Sequence, residues 1–534
     1  MKADLVLYNA HVYTMDPTEA RVGALAVAGN RIAAVGDDAQ MMALLGPGGR
    51  AIDLEGRTVV PGLIDAHVHF GWLSIAVSQG RLDLDNVPTK VEAVAQVADR
   101  ARRLPPGRWI LGGGWNQNVW PEPVMPAAAD LDAVAPDHPV ALQSKSYHAT
   151  WANSRALELA GITAATEDPA GGQIVRDEQG RPTGILLENA ADLVDKAVPE
   201  PGVAEVMDAL RQGMAQAHRL GLTGVQDPGQ ATVLAAFQAL RAAGELHMRV
   251  LMHLPADNLN SAIELGLRSG LGDEWLRIGG IKLFSDGALG PQTAHMLAPY
   301  DGTGGSCGIP TLSRDELHEL VARANGAGLS VAVHAIGDAA NRTVLDAIAA
   351  AQAKTPRQTR PALPNRIEHV QLLHADDLPR LAQLGVVASM QPIHATSDMD
   401  MAERYWGRRC DLAYAWQSVL GSGARLAFGS DAPVETMNPL AGIHAAVTRR
   451  RADGSPSAEG WIPGQRISVG QAVQAYTLGA AHASGEAHLK GSLTPGKLAD
   501  LVVLSHDIFQ APPEEIAAAR VEMTVLDGRI VHRA

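Results

Sequence analysis

The stretch VVPGLIDAHVHF, residues 59–70, holds a Pro-Gly turn, an apolar run and two histidines, His67 and His69, separated by one residue. Side chains alternate between the two faces of a β-strand, so both imidazoles point to one face while Val68 points away. At the carboxyl end of an inward-facing strand, the two rings would reach a common point. Taken alone, the pair also fits two hydrogen-bonded histidines near the surface, and the rest of the chain has to decide between a metal site and a structural pair.

The middle of the chain repeats one pattern eight times, in which a buried β-type run is followed by a turn and an Ala/Leu-rich helical stretch. This pattern predicts an α/β fold, a (β/α)8 TIM barrel. The predicted strands are GLIDAHVHF (62–70), LTGVQD (222–227), MRVLMHL (248–254), IGGIKLFSDG (278–287), LSVAVHAIGD (329–338), NRIEHVQ (365–371), GVVASMQPIH (385–394) and RLAFGSD (425–431).

Both ends of the chain hold short β-type runs bounded by Gly, Asn and Asp. Such runs fill residues 1–58, and they return in LADLVVLSH and in VEMTVLDGRIVHRA, which contains an Asp-Gly turn. We therefore expect strands from both ends to form one β-sandwich, with its N-terminal part at 1–58 and its C-terminal part at 489–534. The barrel would lie between them, at 59–488.

About 150 residues separate the first two barrel strands, far more than one helix requires. We predict that residues 71–205 form a subdomain inserted after barrel strand 1, above the mouth where barrel loops build active sites. Two interpretations of its tryptophans stay open: they build the core of the insert, or some of them, Trp115 included, wall an apolar substrate pocket. The tryptophans of this segment are Trp72, Trp109, Trp115, Trp120 and Trp151.

Bulk composition excludes several classes of protein. The chain has 534 residues, 46% hydrophobic and 19% charged, which is typical of a globular protein with more than one structural unit. The net charge of -14 argues against nucleic acid or an anionic membrane as the main partner. Cys307 and Cys410 form no CxxC pattern, which argues against disulfides and a thiolate zinc site. Because the N-terminus lacks a secretory pattern and no apolar run approaches about 20 residues, we expect a cytoplasmic protein.

Several other predicted strands end in a possible metal ligand: Lys282 in strand 4, His334 in strand 5, His369 in strand 6 and Asp431 in strand 8. Each has a structural explanation of its own, such as a helix cap for Asp431. Their common position at strand ends favours one shared site. Nitrogen and oxygen ligands without thiolate are typical of a catalytic divalent site, with zinc as the expected ion. Such an ion lowers the pKa of bound water to about 7 and polarises the carbonyl that is attacked.

At these residues the chain resembles the amidohydrolase superfamily and, more fully, its YtcJ-like branch, which includes N-substituted formamide deformylase. The HxH and GSDAPVE segments are shared across the superfamily, whereas the insert segments and the motifs of strands 4, 5 and 7 are more specific to the branch. The resemblance covers nearly the whole chain, in PGLIDAHVHF, HATWANSRAL, GRPTGILLENA, GGIKLFSDGALG, VAVHAIGDAANRTVLDAI, RIEHVQ, ASMQPIH, FGSDAPVETMNPL and KGSLTPGKLADLVVL.

The resemblance implies a ligand set for one or two zinc ions. In two-metal members a strand-4 lysine carboxylated by carbon dioxide bridges the ions, and Lys282 stands at the matching place. This chemistry requires a neutral amine, whose pKa is lowered by burial or by nearby positive charge. In the alternative, Lys282 only anchors a carboxylate and the site holds one metal. The remaining implied ligands are His67, His69, His334, His369 and Asp431.

Five residues receive further roles as hypotheses. Asp431 would also act as the base that deprotonates the attacking water and then protonates the departing amine. His394, at the end of strand 7, would hydrogen-bond the substrate carbonyl or the developing oxyanion, or support the site from behind. His148 of the insert would close over the substrate. Asp286 and Asp338 would orient ligands, although turns and helix caps also favour Asp at such positions.

The expected activity is hydrolysis of a carbon-nitrogen bond, of the amide or N-formyl type, in a small molecule. Deamination of a heterocycle and hydrolysis of an ester or lactone stay open, because one activated water serves all of them. A non-catalytic scaffold is disfavoured, because each expected ligand position holds a competent residue. A homodimer is expected because dimers are the commonest homo-oligomers.

Overall fold

The structure, a computed structural model, describes residues 2–18, 20–302, 304–356 and 360–534. Its N-terminal segment forms strands that belong to two different sheets. In chain order the elements are β1 (Ala3–Tyr8), β2 (His11–Tyr13), β3 (Arg21–Val22), β4 (Ala24–Ala28), β5 (Arg31–Gly36), α1 (Asp38–Leu44), β6 (Leu45–Asp53) and β7 (Thr58–Pro61).

After β8 (Leu63–Asp65), the first barrel strand, the chain builds a separate sheet before it returns to the barrel. This six-stranded sheet has the order β13-β14-β12-β11-β10-β9 and lies within the predicted insert, residues 71–205. The elements are α2 (Phe70–Ser78), β9 (Leu82–Asp83), α3 (Lys90–Arg103), β10 (Ile110–Trp115), α4 (Ala128–Asp132), β11 (Val140–Ser144), β12 (Ala149–Ala152), α5 (Ser154–Leu159), β13 (Gly172–Arg176), β14 (Pro182–Glu188) and α6 (Asp192–Asp195).

The remaining barrel elements alternate between helix and strand. Buried runs such as SVAVHA, at 330–335, form the strands, and capped amphipathic segments form the helices. The elements are α7 (Val203–Arg219), β15 (Leu222–Asp227), α8 (Ala231–Ala242), β16 (Arg249–Pro255), α9 (Leu259–Glu264), β17 (Leu276–Phe284), α10 (Arg314–Gly326), β18 (Ser330–Ala335), α11 (Asp338–Lys354), β19 (Arg366–His369), α12 (Leu378–Leu384), β20 (Val387–Met390), α13 (Pro392–Trp406), α14 (Trp416–Gly421), β21 (Arg425–Phe428), α15 (Pro439–Thr448), α16 (Val469–Gln474) and α17 (Ala480–Ala483).

The eight barrel strands form one parallel sheet in the order β21-β20-β19-β18-β17-β16-β15-β8, so the predicted barrel is confirmed. Its two edges meet just beyond β8 and β21. The Ala66 N–H donates to the Phe428 carbonyl at 3.0 Å, and the Asp431 N–H donates to the His67 carbonyl at 2.7 Å. Gly429 allows this approach, since a Cβ there would lie 2.4 Å from the His67 backbone nitrogen.

Strands from the two chain ends pair directly. A six-stranded sheet has the order β24-β23-β22-β7-β2-β3, with β22 (Leu501–Leu504), β23 (Val521–Leu526) and β24 (Arg529–Arg533) contributed by the C-terminal segment. A second sheet, β5-β4-β1-β6, shares a hydrophobic cluster with the first, in which Leu7 and Val27 join Val503 and Val525. Among the helices that the structure describes, none combines the length and the apolar character that crossing a membrane would require.

Candidate metal centre and substrate cavity

The strand ends bring the predicted ligands together. His67 Nε2 and His69 Nε2 each lie 3.3 Å from Asp431 Oδ1, although more than 360 residues separate the histidines from the aspartate in sequence. The ring centroid of His369 lies 5.3 Å from that of His67 and 4.5 Å from that of His334. Side chains from β18 and β19 and from the loops after β8 and β21 thus surround one point at the mouth of the barrel.

In His334 and His369, a hydrogen bond on one ring nitrogen leaves the lone pair of the other nitrogen free. His334 Nε2 lies 3.0 Å from the Gly287 carbonyl, so Nε2 carries the proton and Nδ1 keeps its lone pair. His369 Nδ1 lies 2.9 Å from Gln391 Oε1, which leaves the lone pair on Nε2. Metal-binding histidines are usually oriented in this way, by an acceptor on the outer nitrogen.

Two of the predicted ligands have unusual backbone conformations. His369 has φ 77° and Asp431 has φ 59°, in the left-handed region that non-glycine residues rarely adopt. Such conformations cost on the order of 1–3 kcal/mol each and persist where the surroundings hold them. For Asp431 the surroundings include Asp65, whose Oδ1 accepts hydrogen bonds from the backbone nitrogens of His67 at 3.1 Å and Ser430 at 3.0 Å.

The electrostatics keep the ligands in metal-binding forms. Burial lowers the pKa of His67 to about 4 and holds the pKa values of His334 and His369 well below the usual range, so these imidazoles are neutral at pH 7. Burial by itself would raise the pKa of Asp431, but the neighbouring imidazoles of His67 and His69, each 3.3 Å from its Oδ1, hold it well below the ordinary value. Asp431 is therefore a carboxylate.

Lys282 projects from β17 into the same centre. Its side chain is 4% exposed, and its Nζ has no hydrogen-bond partner among the residues that the structure describes. Burial lowers the pKa of the ammonium to about 8, against the opposing charges of Glu368 and Asp431. Both ring nitrogens of His67 likewise lack a hydrogen-bond partner in the described part of the chain. Buried polar atoms without partners are rare in proteins, and their concentration here fits a group that binds between them.

The donor set fits a divalent cation. Two triplets can each bring three ligand atoms within 4.8 Å of one another: His67, His69 and Asp431, and His369, His394 and Asp431. All donors are imidazole nitrogen or carboxylate oxygen, as in catalytic sites for zinc and related metals. The second triplet includes His394, for which the sequence predicted a role toward the substrate, and its hydrogen bond with Gln371 favours that role over metal binding.

His394 lies in the first turn of α13, and its Nε2 is 3.7 Å from Asp431 Oδ2. Its Nδ1 is 3.2 Å from the amide nitrogen of Gln371, which can only donate. His394 Nδ1 is therefore the acceptor, and in the neutral ring the proton is on Nε2. This N–H has no other partner among the described residues and is available to a carbonyl oxygen in the cavity.

A cavity of about 370 Å³ opens above these residues, and the insert forms part of its wall. His148 Nδ1 donates to Glu188 Oε2 at 2.6 Å, and the His148 ring lies 5.0 Å from that of His334. The Trp72 and Tyr147 rings pack edge to face, with centroids 4.4 Å apart, and both residues line the cavity. His148 thus faces the predicted metal centre from the insert.

Most of the insert's tryptophans build its core. Trp115, Trp120 and Trp151 belong to one hydrophobic cluster of the insert, with Trp115 only 1% exposed. Trp115 still contributes to the cavity lining, while its indole N–H donates to the Leu142 carbonyl at 2.8 Å. Trp72, by contrast, lines the cavity and lies beside His69, with ring centroids 6.0 Å apart. The core interpretation thus fits Trp115, Trp120 and Trp151, and a role of Trp72 or Trp115 toward the substrate stays a prediction.

The two predicted orienting aspartates occupy different positions. Asp286 Oδ1 lies 3.6 Å from His334 Nε2, and its carboxylate accepts hydrogen bonds from the backbone nitrogens of His295, Ile336 and Gly337 at 2.8, 3.1 and 2.9 Å. Asp338 begins α11, and its Oδ1 accepts from the Leu297 N–H at 2.8 Å. Asp286 therefore backs a predicted ligand, while Asp338 fixes a loop. Their effect on activity stays a prediction.

Sequence reasoning missed the polar residues behind the ligands. Glu368 Oε2 lies 3.2 Å from His67 Nδ1, and Glu368 is itself paired with the buried Arg366. The signal was present, because Arg366 and Glu368 are two apart in a fully buried strand and so share a face. Lys145, Glu188 and Gln371 had no such signal, since their roles depend on contacts between distant segments.

Comparison with known proteins agrees with this geometry. The sequence profile of the Amidohydrolase family matches residues 50–532. Protein LONG AFTER FAR-RED 3 of Arabidopsis thaliana is 36% identical over 99% of this chain and 91% of its own length. The putative amidohydrolase YtcJ of Bacillus subtilis (strain 168) is 32% identical, covering 100% and 99% of the two chains. The N-substituted formamide deformylase of Arthrobacter pascens is also 32% identical, covering 98% and 97%.

Solved structures show the same architecture. An uncharacterized metal-dependent hydrolase from Pyrococcus horikoshii OT3 superposes with a TM-score of 0.77 at 28% identity, covering 95% of this chain and 99% of its own. A second uncharacterized metal-dependent hydrolase, from Pyrococcus furiosus, has a TM-score of 0.72 at 30% identity, covering 95% and 100%. The predicted family is therefore confirmed: the chain belongs to the amidohydrolase family and is a metal-dependent hydrolase of the class that acts on carbon-nitrogen bonds other than peptide bonds.

Proposed function

We propose that this enzyme hydrolyses the amide or N-formyl bond of a small molecule. The observation that carries the proposal is the convergence of His67, His69, His334, His369 and Asp431 at one point below a cavity of about 370 Å³. A relative similar over the whole chain and named N-substituted formamide deformylase supports the N-formyl type of bond.

This ligand set would hold the metal, with zinc as the proposed ion. Lys282, once carboxylated by carbon dioxide, would bridge two such ions. The buried Nζ of Lys282, without a partner in the described residues, supports a modified or metal-facing role. When bound, zinc would acidify a water molecule and polarise the substrate carbonyl. A site with one ion and an unmodified Lys282 is the alternative.

The protein's own groups would move the protons. Asp431, a carboxylate within 3.3 Å of both His67 and His69, takes a proton from the attacking water. The Nε2–H of His394 donates a hydrogen bond to the carbonyl oxygen as negative charge develops on it. Asp431 then delivers its proton to the departing nitrogen, the carbon-nitrogen bond breaks, and a carboxylic acid, or formate, and a free amine result.

The domains have proposed roles in this reaction. The barrel, 59–488, would hold the metal, and the insert, 71–205, would shape the cavity through His148 and Trp115, which both line it. The terminal segments, 1–58 and 489–534, would form a β-sandwich that supports the barrel from outside the site. A homodimer and a cytoplasmic location stay predictions.

A substrate screen on zinc-loaded enzyme tests the proposal. N-formyl amines, N-acyl amines, amino-heterocycles and lactones are incubated with enzyme of measured zinc content, and products are identified by mass spectrometry. We expect an amine together with formate or another carboxylate, with activity lost on chelation and restored by zinc. Ammonia as the product would replace the proposal by deamination, and exclusive cleavage of lactones would replace it by an esterase.

A further inference from the structure

Resting on the proposed function, we propose that α13 forms a subsite for a protonated amino group of the substrate, with Asp398 as the counter-charge. The substrate class would then be amides whose amine or acyl portion carries a second, positively charged nitrogen. Three features support this subsite: one face of α13, the pairing of the charges around it and an unpartnered amide oxygen nearby.

One face of α13 forms a wall of the cavity. His394, Ser397, Asp398 and Met401 all line it, and they follow the spacing i, i+3, i+4, i+7 of a single helical face. His394 is at the end of the helix closest to Asp431. Because a helix rises 1.5 Å per residue, the backbone of Asp398 lies about 6 Å further along the same wall. A substrate whose carbonyl meets His394 would extend past Asp398.

The charge of Asp398 is not neutralised within the described protein. Its Oδ2 accepts a hydrogen bond from the Tyr414 hydroxyl at 2.6 Å, and the described residues provide it with no ion pair. Lys145, an ammonium in the same cavity, is already held by two other carboxylates, at 2.7 Å from Asp85 Oδ1 and 3.2 Å from Glu435 Oε1. Lys145 is therefore already shared by two carboxylates, Asp398 adds a further negative charge to the cavity wall, and a cationic ligand would reduce this excess.

Gln371 supplies an independent observation. It is 3% exposed, lines the cavity and uses its amide nitrogen on His394, while its Oε1 has no hydrogen-bond partner among the described residues. An unpartnered buried acceptor calls for a donor, and an ammonium brings three N–H groups. Gln371 contacts His394, which lies one helical turn from Asp398 on α13, so acceptors concentrate on this side of the cavity.

Another part of the cavity wall is apolar. Phe284 is a cavity-lining residue with 43% of its surface exposed, and Leu289 and Pro291 line the cavity as well. A ligand with a hydrocarbon body and one positive end fits both kinds of wall. A negatively charged ligand does not fit the α13 side, because the only described ammonium beside it, Lys145, is already paired twice.

The test compares substrates that differ in one charge. Monoformylated diaminoalkanes with two to six carbons are compared with N-formyl alkylamines of equal length, on zinc-loaded enzyme. We expect kcat/KM to favour the charged member by about tenfold at the best length, mainly through KM. Asp398→Asn keeps an oxygen for the Tyr414 hydroxyl and removes the charge, so it should bring this ratio close to one.

Asp192→Asn is the matched control. Asp192 also lines the cavity but belongs to α6, and its substitution removes the same charge, so it should leave the preference in place. An equal loss of preference in both variants would mean a general effect of cavity charge, and the subsite would be rejected. Equal or better turnover of the neutral substrates by the unmodified enzyme would also overturn the proposal, whether or not the variants fold.

A binding measurement separates failure of the subsite from failure of the proposed function. Calorimetry with n-hexylammonium and n-hexanol on the zinc-loaded enzyme should show binding of the ammonium only, weakened about tenfold in Asp398→Asn. If no formamide is cleaved but this selectivity is present, the reaction is wrong and the subsite stands. If formamides are cleaved without selectivity for charge, the reaction stands and the subsite is rejected.

Discussion

Two buried cations lie on neighbouring strands of the barrel, at opposite ends of it. Arg249 begins β16, and its guanidinium donates to Asp500 at 2.5 and 2.9 Å, to Asp527 at 3.1 Å and to the Glu274 carbonyl at 3.0 Å. Lys282 lies two residues before the end of β17, and its Nζ has no hydrogen-bond partner in the described chain. Both residues are nearly inaccessible, at 2% and 4% exposure.

The different pairing of Arg249 and Lys282 indicates that the two ends of the barrel have different roles. Asp500 and Asp527 hold the pKa of Arg249 above its usual value although burial by itself would lower it, whereas burial lowers the pKa of Lys282 to about 8. A buried charge with complete partners ties strands together, here the barrel to the C-terminal segment. A buried charge without partners is costly and is retained where a ligand completes it, at the carboxyl end where barrel active sites lie.

The comparison predicts that the carboxyl end of the barrel strands, the open end where Lys282 lies, serves catalysis more than stability. Replacing Asp431 by Asn should lower kcat about a thousandfold or more, because the variant loses the base, while much of the bound metal is kept by the remaining histidines. Steady-state kinetics and elemental analysis of the purified variant measure the two effects. Near-normal turnover would refute the role of Asp431.

Asp500→Asn is the control for this substitution and lies at the other end of the barrel, the closed end, where Arg249 begins β16. It also replaces a carboxylate by an amide, but it disturbs the ion pair with Arg249. We therefore expect it to lower the melting temperature and to leave the activity of the folded fraction intact. A large loss of activity at Asp500 with unchanged stability would break the distinction between the two ends.

Replacing each of the two cations, Arg249 and Lys282, by methionine in metal-free protein should have opposite effects on stability. Arg249→Met should destabilise the fold by about 3–5 kcal/mol, because it leaves the Asp500 carboxylate buried without its partner. Lys282→Met should leave stability unchanged or raise it by roughly 1–2 kcal/mol, because it replaces an unpaired charge with an apolar chain. Urea denaturation in the presence of a chelator, followed by circular dichroism, gives both values. Equal destabilisation by the two substitutions would show that Lys282 is already paired without metal.

The contrast also explains what could be predicted from sequence. Strand periodicity predicted all eight barrel strands. The polar residues at their carboxyl ends, from His67 to Asp431, could be predicted as one site because the carboxyl ends of barrel strands meet at one face. The hydrogen-bond and ion-pair partners of these polar residues could not be predicted from the sequence. Arg249 meets Asp500 across 251 positions and Lys145 meets Glu435 across 290, and these pairings depend on packing that no local pattern encodes.

The smallest expected effect concerns pH at the closed end. His218, near the end of α7, is 5% exposed, its Nε2–H donates to the His247 carbonyl at 2.7 Å, and its backbone carbonyl accepts from the Thr524 hydroxyl of β23 at 2.7 Å. Burial, with a contribution from His247 and His532, lowers the pKa of His218 from 6.5 to about 4. The unfolded chain therefore binds a proton more readily, and the stability from neutral His218 is lost as pH falls from 6.5 toward 4.

His218→Gln retains an N–H donor for the His247 carbonyl but cannot titrate, so it should flatten the dependence of stability on pH in this window. We expect the stability lost between pH 6.5 and 4.5 to shrink by about 1–2 kcal/mol relative to the unmodified protein. Urea midpoints at the two pH values, measured with chelator to remove the contribution of metal binding, provide the comparison. An unchanged slope would mean that groups at the open end, and not His218 at the closed end, govern the acid sensitivity of the fold.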